Sequence, residues 1–526
     1  MPRRQILADL ERNSLLALPE SQYELIQLYT LSEHDLSIIS QQRGAFNRLG
    51  FAIQLCYMRY PGIILPVNQI PNVSLLKLVC NQLNTITDAW DDYSERAETR
   101  REHLIIIQSI FGFLPFAMNY YQSAVRTLET TAFQTDKGIV LANELIEYLR
   151  KKKILLPSVN VIERICAQAI TQAERLIYRS LTESLSDKQK EQLDVLLLLR
   201  DNCKITTLVW LRQSPAAPNA KHLLEHIERL NTMEALQLPV NLEKQVHQNR
   251  LLKLAREGGQ MTPQHLDDLE TTRRHATLVA IILEAKATVI DQIVDLHDRI
   301  VSTLFSRAKN LHQQQFQRSG KEINNKVMLY WCIGNALLAA KQTGEYSFVT
   351  IESMISWDEF TQSIGEAARL AQSESFDYIH LVGDSYSQIR RYATALLEAL
   401  QLKAAPAAKE IMEAVDILKD MNTYNGRKLP PNTPTGFVRK RWENLIFKKD
   451  GLDRRFYELC VFSELKNALR SGDIWVQGSR QFKDFEEYLL PADKFAILKE
   501  ESKIPLTINT DPNEYLKQRM ALLHQQ

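Results

Sequence analysis

Arg48, Asn47 and Gln54 carry the side chains best suited to read a DNA base edge: arginine pairs with guanine, and asparagine or glutamine with adenine, in the major groove. They lie in the stretch Arg43-Gly-Ala-Phe-Asn-Arg-Leu-Gly-Phe-Ala-Ile-Gln-Leu-Cys-Tyr-Met-Arg-Tyr-Pro-Gly62, where Phe46, Leu49, Ile53, Cys56 and Tyr60 recur at helical spacing and predict one packed face. Asn47, Arg48, Gln54 and Arg59 fall away from that face. A preceding helix is expected from Glu33 to Gln42, capped by Ser32 and turning Leu36 and Ile39 inward, with Gly44 as the turn between the two. From Leu36 to Gly62 there are three arginines and no acidic residue, as a helix-turn-helix entering a groove requires. An ordinary helical hairpin with solvated arginines fits the same pattern.

Two further clusters could hold phosphates. Arg150, Lys151, Lys152 and Lys153 end the helix expected over Gly138–Lys153, where the helix dipole also stabilises cations without any partner. From Arg427 to Arg455 nine basic residues stand against Glu443, Asp450 and Asp453, a local balance of +6, and Phe437, Trp442 and Phe447 interleave with them. Arg439, Lys440 and Arg441 are the densest part of that patch. The alternative there is an aromatic core with solvated cations.

Catalytic and metal patterns are sparse. His222-Leu-Leu-Glu225-His226 matches a zinc-peptidase spacing but has no identifiable third ligand, so a plain helix is the expectation. Asp291, Asp295 and Asp298 share a helical side with Lys286 and Arg299 nearby and are read as a solvated face. There is no phosphate-binding loop, no dinucleotide loop, no G-x-S-x-G and no convincing cysteine nucleophile.

The elements that position these residues are helices. At 526 residues the chain has room for several domains, and with 17 glycines and 18 prolines it is poor in both helix-breaking residues. Its 64 basic and 63 acidic residues give a net charge of +1, so nucleic-acid binding has to come from local patches rather than a bulk field. Six scattered cysteines argue against a disulfide framework and for a reducing cytoplasm. No signal peptide or membrane span is expected: the most apolar run, Leu104 to Met118, is interrupted by Gln108, Gly112 and Pro115.

In order, helices are expected over Ser94–Phe111, Pro115–Phe133 and Gly138–Lys153, then two from Ser158 to Arg212, closed by the loop Ser214-Pro-Ala-Ala-Pro-Asn. Leu242–Glu257 is followed by a Gly258-Gly259 turn and a helix capped by Thr262 with Pro263 at its first position. Val289, Ile293, Leu296, Ile300, Leu304 and Leu311 form a seam, read as core or as a self-association surface. Leu429-Pro-Pro-Asn-Thr-Pro-Thr reads as the clearest linker, and Gly472–Gly478 as a short strand. The fold class is mainly α: a multi-domain array of helical bundles including helix-turn-helix-like DNA-binding units, with a short strand element near the C-terminus. The expected division is 1–72 and 73–157 (DNA-binding), 158–320 (long helices, dimerisation), 321–428 (helical), 429–498 (basic linker domain) and 499–526 (polar tail).

With these residues laid out, the chain resembles the replicative transposases of bacterial class II transposons, the Tn-three family. The resemblance is carried by Met1-Pro-Arg-Arg-Gln-Ile-Leu, Asn47-Arg-Leu-Gly-Phe-Ala52, Thr99-Arg-Arg-Glu-His-Leu104, Ile154-Leu-Leu-Pro157 and Val246-His-Gln-Asn-Arg-Leu251. Arg273-Arg-His-Ala-Thr-Leu-Val279, Asp453-Arg-Arg-Phe-Tyr-Glu-Leu-Cys460 and Gly472-Asp-Ile-Trp-Val476 continue it in order. The resemblance implies recognition of terminal inverted repeats in double-stranded DNA by helical N-terminal domains, and assembly as a homodimer or with full-length transposase. It also implies a ribonuclease-H-like domain with an Asp-Asp-Glu triad and two magnesium ions, beyond the matched region; no cofactor is expected in this chain. On this reading Arg48, Asn47 and Gln54 contact bases. Arg43, Arg59, Arg100, Arg101, Arg150 to Lys153 and Arg439 to Arg441 hold phosphates.

Overall fold

The computed structural model describes residues 6–66, 69–94, 97–200, 203–214, 217–344, 346–371, 378–424, 426–501 and 511–524. The expected features at residues 1–5 and 215–216, and the tail from 502 to 510, lie outside the described residues. The chain is mainly α-helical; among the described residues its strands form only two small antiparallel sheets. It divides into two compact units, one of Met1–Trp210 with Leu236–Glu284 and the other of Leu211–Ala235 with Ala285–Gln526.

In the first unit, Glu33–Ser40 (α1) starts at a reciprocal cap: the Ser32 hydroxyl accepts from the Asp35 amide at 3.2 Å and the Asp35 carboxylate accepts from the Ser32 amide at 2.8 Å. Ile38 and Ile39 face the core, whereas Leu36, expected inside, is 36% exposed. Gly44 makes the following turn at a φ of +85°, a conformation costly for any side chain with a Cβ. Ala45–Arg59 (α2) is where the structure departs most from expectation. Every residue from Leu49 to Met58 is buried, so α2 is a central core helix and not an amphipathic one with a free face. Helices Val73–Leu83, Ala89–Ser94 and Ala97–Phe111 (α3) pack around it with α1. The approach is close enough that a Cβ on Gly50 would lie 2.2 Å from the Tyr93 ring. The core so formed runs from Leu25 through Leu49–Met58 to Leu75, Val79, Trp90 and Ile107, continuous across residue 72.

A second core joins Leu7 and Leu15 to Ala124–Ala132, to Gly138–Lys151 (α4) and to Ile162–Ala173. Gln248–Gln260 (α5) runs straight through Gly258-Gly259, where a turn was expected. Gly258 serves close packing instead: a Cβ there would meet the Thr277 methyl at 2.3 Å. Thr262 caps the next turn with Pro263 at its first position, as read from the sequence. Thr271–Thr343 (α6) then forms one continuous helix, contributing to the first unit up to Glu284 and to the second from Ala285.

In the second unit, Val289, Ile293, Leu296, Ile300 and Leu304 of α6 are buried, so the seam is core; only Leu311, 46% exposed, leaves it. The stretch Leu429–Thr435 is no free linker. Thr433 is buried and the Tyr457 hydroxyl donates to the Pro434 carbonyl at 2.8 Å. Leu402–Ala404 (β1) pairs antiparallel with Ile474–Val476, the strand expected between glycines. Lys440–Ile446 (α7) leads into a hairpin of Phe447–Lys448 (β2) and Gly451–Leu452 (β3), followed by Arg454–Ser471 (α8). No helix among the described residues is long and apolar enough to cross a membrane.

Candidate nucleic-acid interface

The start of α2 presents Arg43 and Arg48 to solvent, with Arg48 Nε donating to the Gln42 carbonyl at 2.9 Å. Asn47 is half-buried and gives its amide to the Arg43 carbonyl at 2.8 Å, a local brace on the turn. Gln54, assigned to a base edge, must be corrected. It is fully buried, and its amide pairs with both backbone groups of Leu65, at 3.4 and 3.3 Å. Its polar side chain satisfies a buried loop where no base can reach.

At the other end of α2, Arg59 forms a two-pronged pair with the buried Asp35 at 2.8 and 2.6 Å. Burial alone would raise the Asp35 pKa, but the Arg59 bonds and those from Ser32 outweigh it and hold the carboxyl at about 2. Arg48 reaches the residues just after α1 and Arg59 reaches its first turn, so α1 lies antiparallel along α2. It covers the helix between two arginines that stand about 16 Å apart at about 1.5 Å of rise per residue. With Leu49–Met58 buried throughout, only the start of α2, at Arg43 and Arg48, is left open to a groove. Asp35 sits one residue outside the acid-free window, which is why the window overstated the available charge.

The ends of α2, α3 and α4 meet here. Arg59 lies 5.2 Å from the Phe111 ring centroid and Lys153 Nζ donates to the Phe111 carbonyl at 3.1 Å. Arg150 stacks 4.4 Å over Tyr60 and donates to the Pro61 carbonyl at 2.8 Å. Lys153 also takes a φ of +55° to turn the chain, and Leu114 bonds to its carbonyl at 2.9 Å. Three of the expected phosphate contacts therefore knit loops together. Lys151 and Lys152 remain on the surface, Lys152 with its ammonium 4.8 Å over Tyr148. On α3, Arg101 is exposed. Arg100 is buried and donates to the Leu65 carbonyl, so its assignment to a surface phosphate contact is also corrected.

In the second unit the aromatics and cations separate. Trp442 is fully buried against Phe305, ring centroids 6.0 Å apart, and Phe437 packs on Tyr457 at 5.9 Å. They anchor the segment instead of offering stacking platforms. Phe447, 47% exposed, is the exception. Arg439 pairs with the buried Glu464 at 2.9 Å, whereas Lys440 and Arg441 are exposed. Lys448 and Lys449, at the hairpin tip, are exposed too and were not singled out from the sequence. The hairpin is fixed at its base, because the Asp453 amide donates to the Ile446 carbonyl at 2.8 Å and Asp453 then caps α8.

Other chemistry-bearing residues serve the fold. His222 Nδ1 faces the Ala217 carbonyl and His226 Nδ1 the His222 carbonyl, both at 2.7 Å, and His226 is buried. Asp291 accepts from Ser479 and Arg480, Asp295 pairs with Arg299, and Asp298 pairs with Arg470, so the three carboxylates have separate structural partners. Burial pushes the Cys56, Cys166 and Cys460 thiols up to about 12, leaving them protonated at neutral pH.

Residues 6–169 match a family described as a domain of unknown function (DUF4158). The chain is 56% identical over 526 residues to the transposase for transposon Tn3926 of Escherichia coli, covering all of this chain and 53% of that protein. It is 53% identical over the same length to the transposase for transposon Tn501 of Pseudomonas aeruginosa, again covering 53% of it. A more distant relative, the transposase for transposon Tn1546 of Enterococcus faecium, is 31% identical over 524 residues and is 53% covered. The chain thus spans about half the length of the curated relatives it matches.

Proposed function

We propose that this chain is the end-recognition portion of a replicative transposase of the Tn-three family, binding the terminal inverted repeats of its transposon as duplex DNA. The observation that carries the reading is identity to transposases sustained over the whole chain. Strand cleavage and joining, with their Asp-Asp-Glu triad and magnesium, belong on this reading to the part of the relatives that the chain does not match. Exposed cations on each unit supply the contacts: Arg43, Arg48, Arg101, Lys151 and Lys152 on the first, Lys440, Arg441, Lys448 and Lys449 on the second. Arg48 is the base reader among them, since it stands at the open start of α2 with terminal guanidinium nitrogens free to fork onto guanine. Lys152 is a phosphate contact. Competition binding tests the split. Arg48→Ala should cut the preference for terminal-repeat over scrambled duplex at least tenfold, whereas Lys152→Ala should weaken both duplexes alike. Equal loss on both duplexes for Arg48→Ala removes it from base reading.

The partner arrangement is a homodimer. The Val289–Leu304 seam is filled by the chain's own core, but Val327, Trp331 and Leu338 of α6, 59%, 62% and 64% exposed, repeat at intervals of four and seven along one helical stripe. A second copy of that stripe is the proposed complement. Sedimentation of the free chain should show a dimer that Trp331→Glu converts to monomer; a monomer in the unmutated chain would exclude this arrangement.

A further inference from the structure

The outer face of α5 is free where that of α2 is not. Arg250, Leu251, Leu254, Ala255 and Gly258 turn inward and are buried, so α5 is amphipathic. Asn249, Lys253, Arg256 and Gln260 follow one another at steps of four, three and four, and at about 100° per residue they share one stripe about 60° wide. That stripe runs about 16 Å along the helix. Asn249, Arg256 and Gln260 are exposed, and their side chains have no partner among the described residues.

The stripe forms one wall of an open cleft of about 510 Å³. The segment Thr135–Lys137, between the helix Glu129–Gln134 and α4, forms the other. Ion pairs hold the two walls together. Asp136 pairs with the buried Arg250 at 3.4 Å and also with Lys253, while Arg250 reaches Glu174 at 3.8 Å and Lys253 reaches Glu257 at 3.5 Å. Arg250 and Lys253 are thereby committed to the fold, and they neutralise both carboxylates of the cleft. What remains for a ligand is the positive charge of Lys137 and Arg256, both exposed and outside that network, beside the amides of Asn249 and Gln260. Amides beside cations favour a duplex over an acidic protein surface, because base edges as well as phosphates are then met.

We propose that α5 is a second groove-reading element for duplex DNA. Its stripe enters the major groove, Arg256 pairing with guanine and Asn249 with adenine, while Lys137 across the cleft holds a backbone phosphate. The major groove, about 12 Å wide, admits a helix whose outer face is clear. The inference rests on the reading of the chain as an end-recognition portion, and it adds specificity residues that the buried part of α2 does not supply.

The test is competition binding of the full chain to terminal-repeat and scrambled duplexes, repeated with single guanines of the terminal repeat replaced by a deazaguanine that lacks the N7 acceptor. Arg256→Ala and Asn249→Ala, both on the surface, should each cut the preference for the terminal repeat about tenfold. Lys137→Ala should instead weaken both duplexes alike and make the log–log salt slope shallower by about 1. At least one guanine whose replacement weakens the unmutated chain should be without effect on Arg256→Ala and keep its effect on Arg48→Ala. Two results overturn the inference: a preference kept in the Asn249→Ala, Arg256→Ala double variant, or an Arg256→Ala loss that is equal on both duplexes. With a preference present in the unmutated chain, either result leaves end recognition standing while the role of α5 falls. An unmutated chain without any preference removes both.

Discussion

The stretches Arg43–Gly62 and Arg427–Arg455 look alike in sequence, basic and laced with aromatic residues, but the fold uses them in opposite ways. In the first, the helix between the arginines is core and Arg59 is bound to a buried aspartate. In the second, the aromatic Trp442 is core and Lys440, Arg441, Lys448 and Lys449 are left outside. The comparison teaches that a cation's availability depends on the nearest buried acceptor, not on the charge of its window. A carboxylate one residue beyond the window reverses the conclusion.

Substitutions can break this comparison. Arg59→Ala should have the largest effect, about 3–5 kcal/mol of unfolding free energy in urea, because it strands the buried Asp35. A loss below about 1 kcal/mol would mean that Arg59 is as free as Arg48. Next comes Gly50→Ala, expected to cost about 1–3 kcal/mol by forcing a methyl against the Tyr93 ring; an unchanged denaturation midpoint would show α2 to be less enclosed than described.

Acid should expose the same pair more mildly. Asp35 has a depressed pKa in the fold, so its contribution is fully present above the ordinary carboxylate value of 3.8 and is lost as pH falls toward about 2. Roughly 1–2 kcal/mol should disappear across that window, and an Asp35→Asn background should flatten that part of the profile. The smallest stability effect belongs to the Lys440→Ala, Arg441→Ala double variant, within about 0.5 kcal/mol of the unmutated chain. Its DNA affinity should nonetheless show a log–log salt slope shallower by about 2. An unchanged slope would place those two cations away from phosphate.

Much of the helical framework was legible in the sequence because its signals are local. The Ser32 cap, the Gly44 turn, the Thr262-Pro263 start and the glycine-bounded strand at Ile474–Val476 each depend on a few neighbouring residues. What could not be read depends on distant partners. Gln54 looks available until Leu65 folds over it, and Gly258-Gly259 looks like a turn until Thr277 needs the space. Leu429–Thr435 has the composition of a linker, yet Tyr457 and a buried Thr433 pin it. For the candidate interface, sequence pointed to Arg48, Lys152, Lys440 and Arg441, which are exposed, but also to Gln54 and Arg100, which are not. Ser32-x-x-Asp35 is a local signal of the first kind, and it marks an acidic residue beside the arginines of α2.

End recognition is tested most directly by a salt titration of binding to a terminal-repeat duplex and to a scrambled duplex of equal length. The expected result is preference for the terminal repeat by about 4 kcal/mol or more at physiological salt. Equal affinities that fade along one steep salt slope would contradict the proposal, leaving phosphate attraction without sequence recognition.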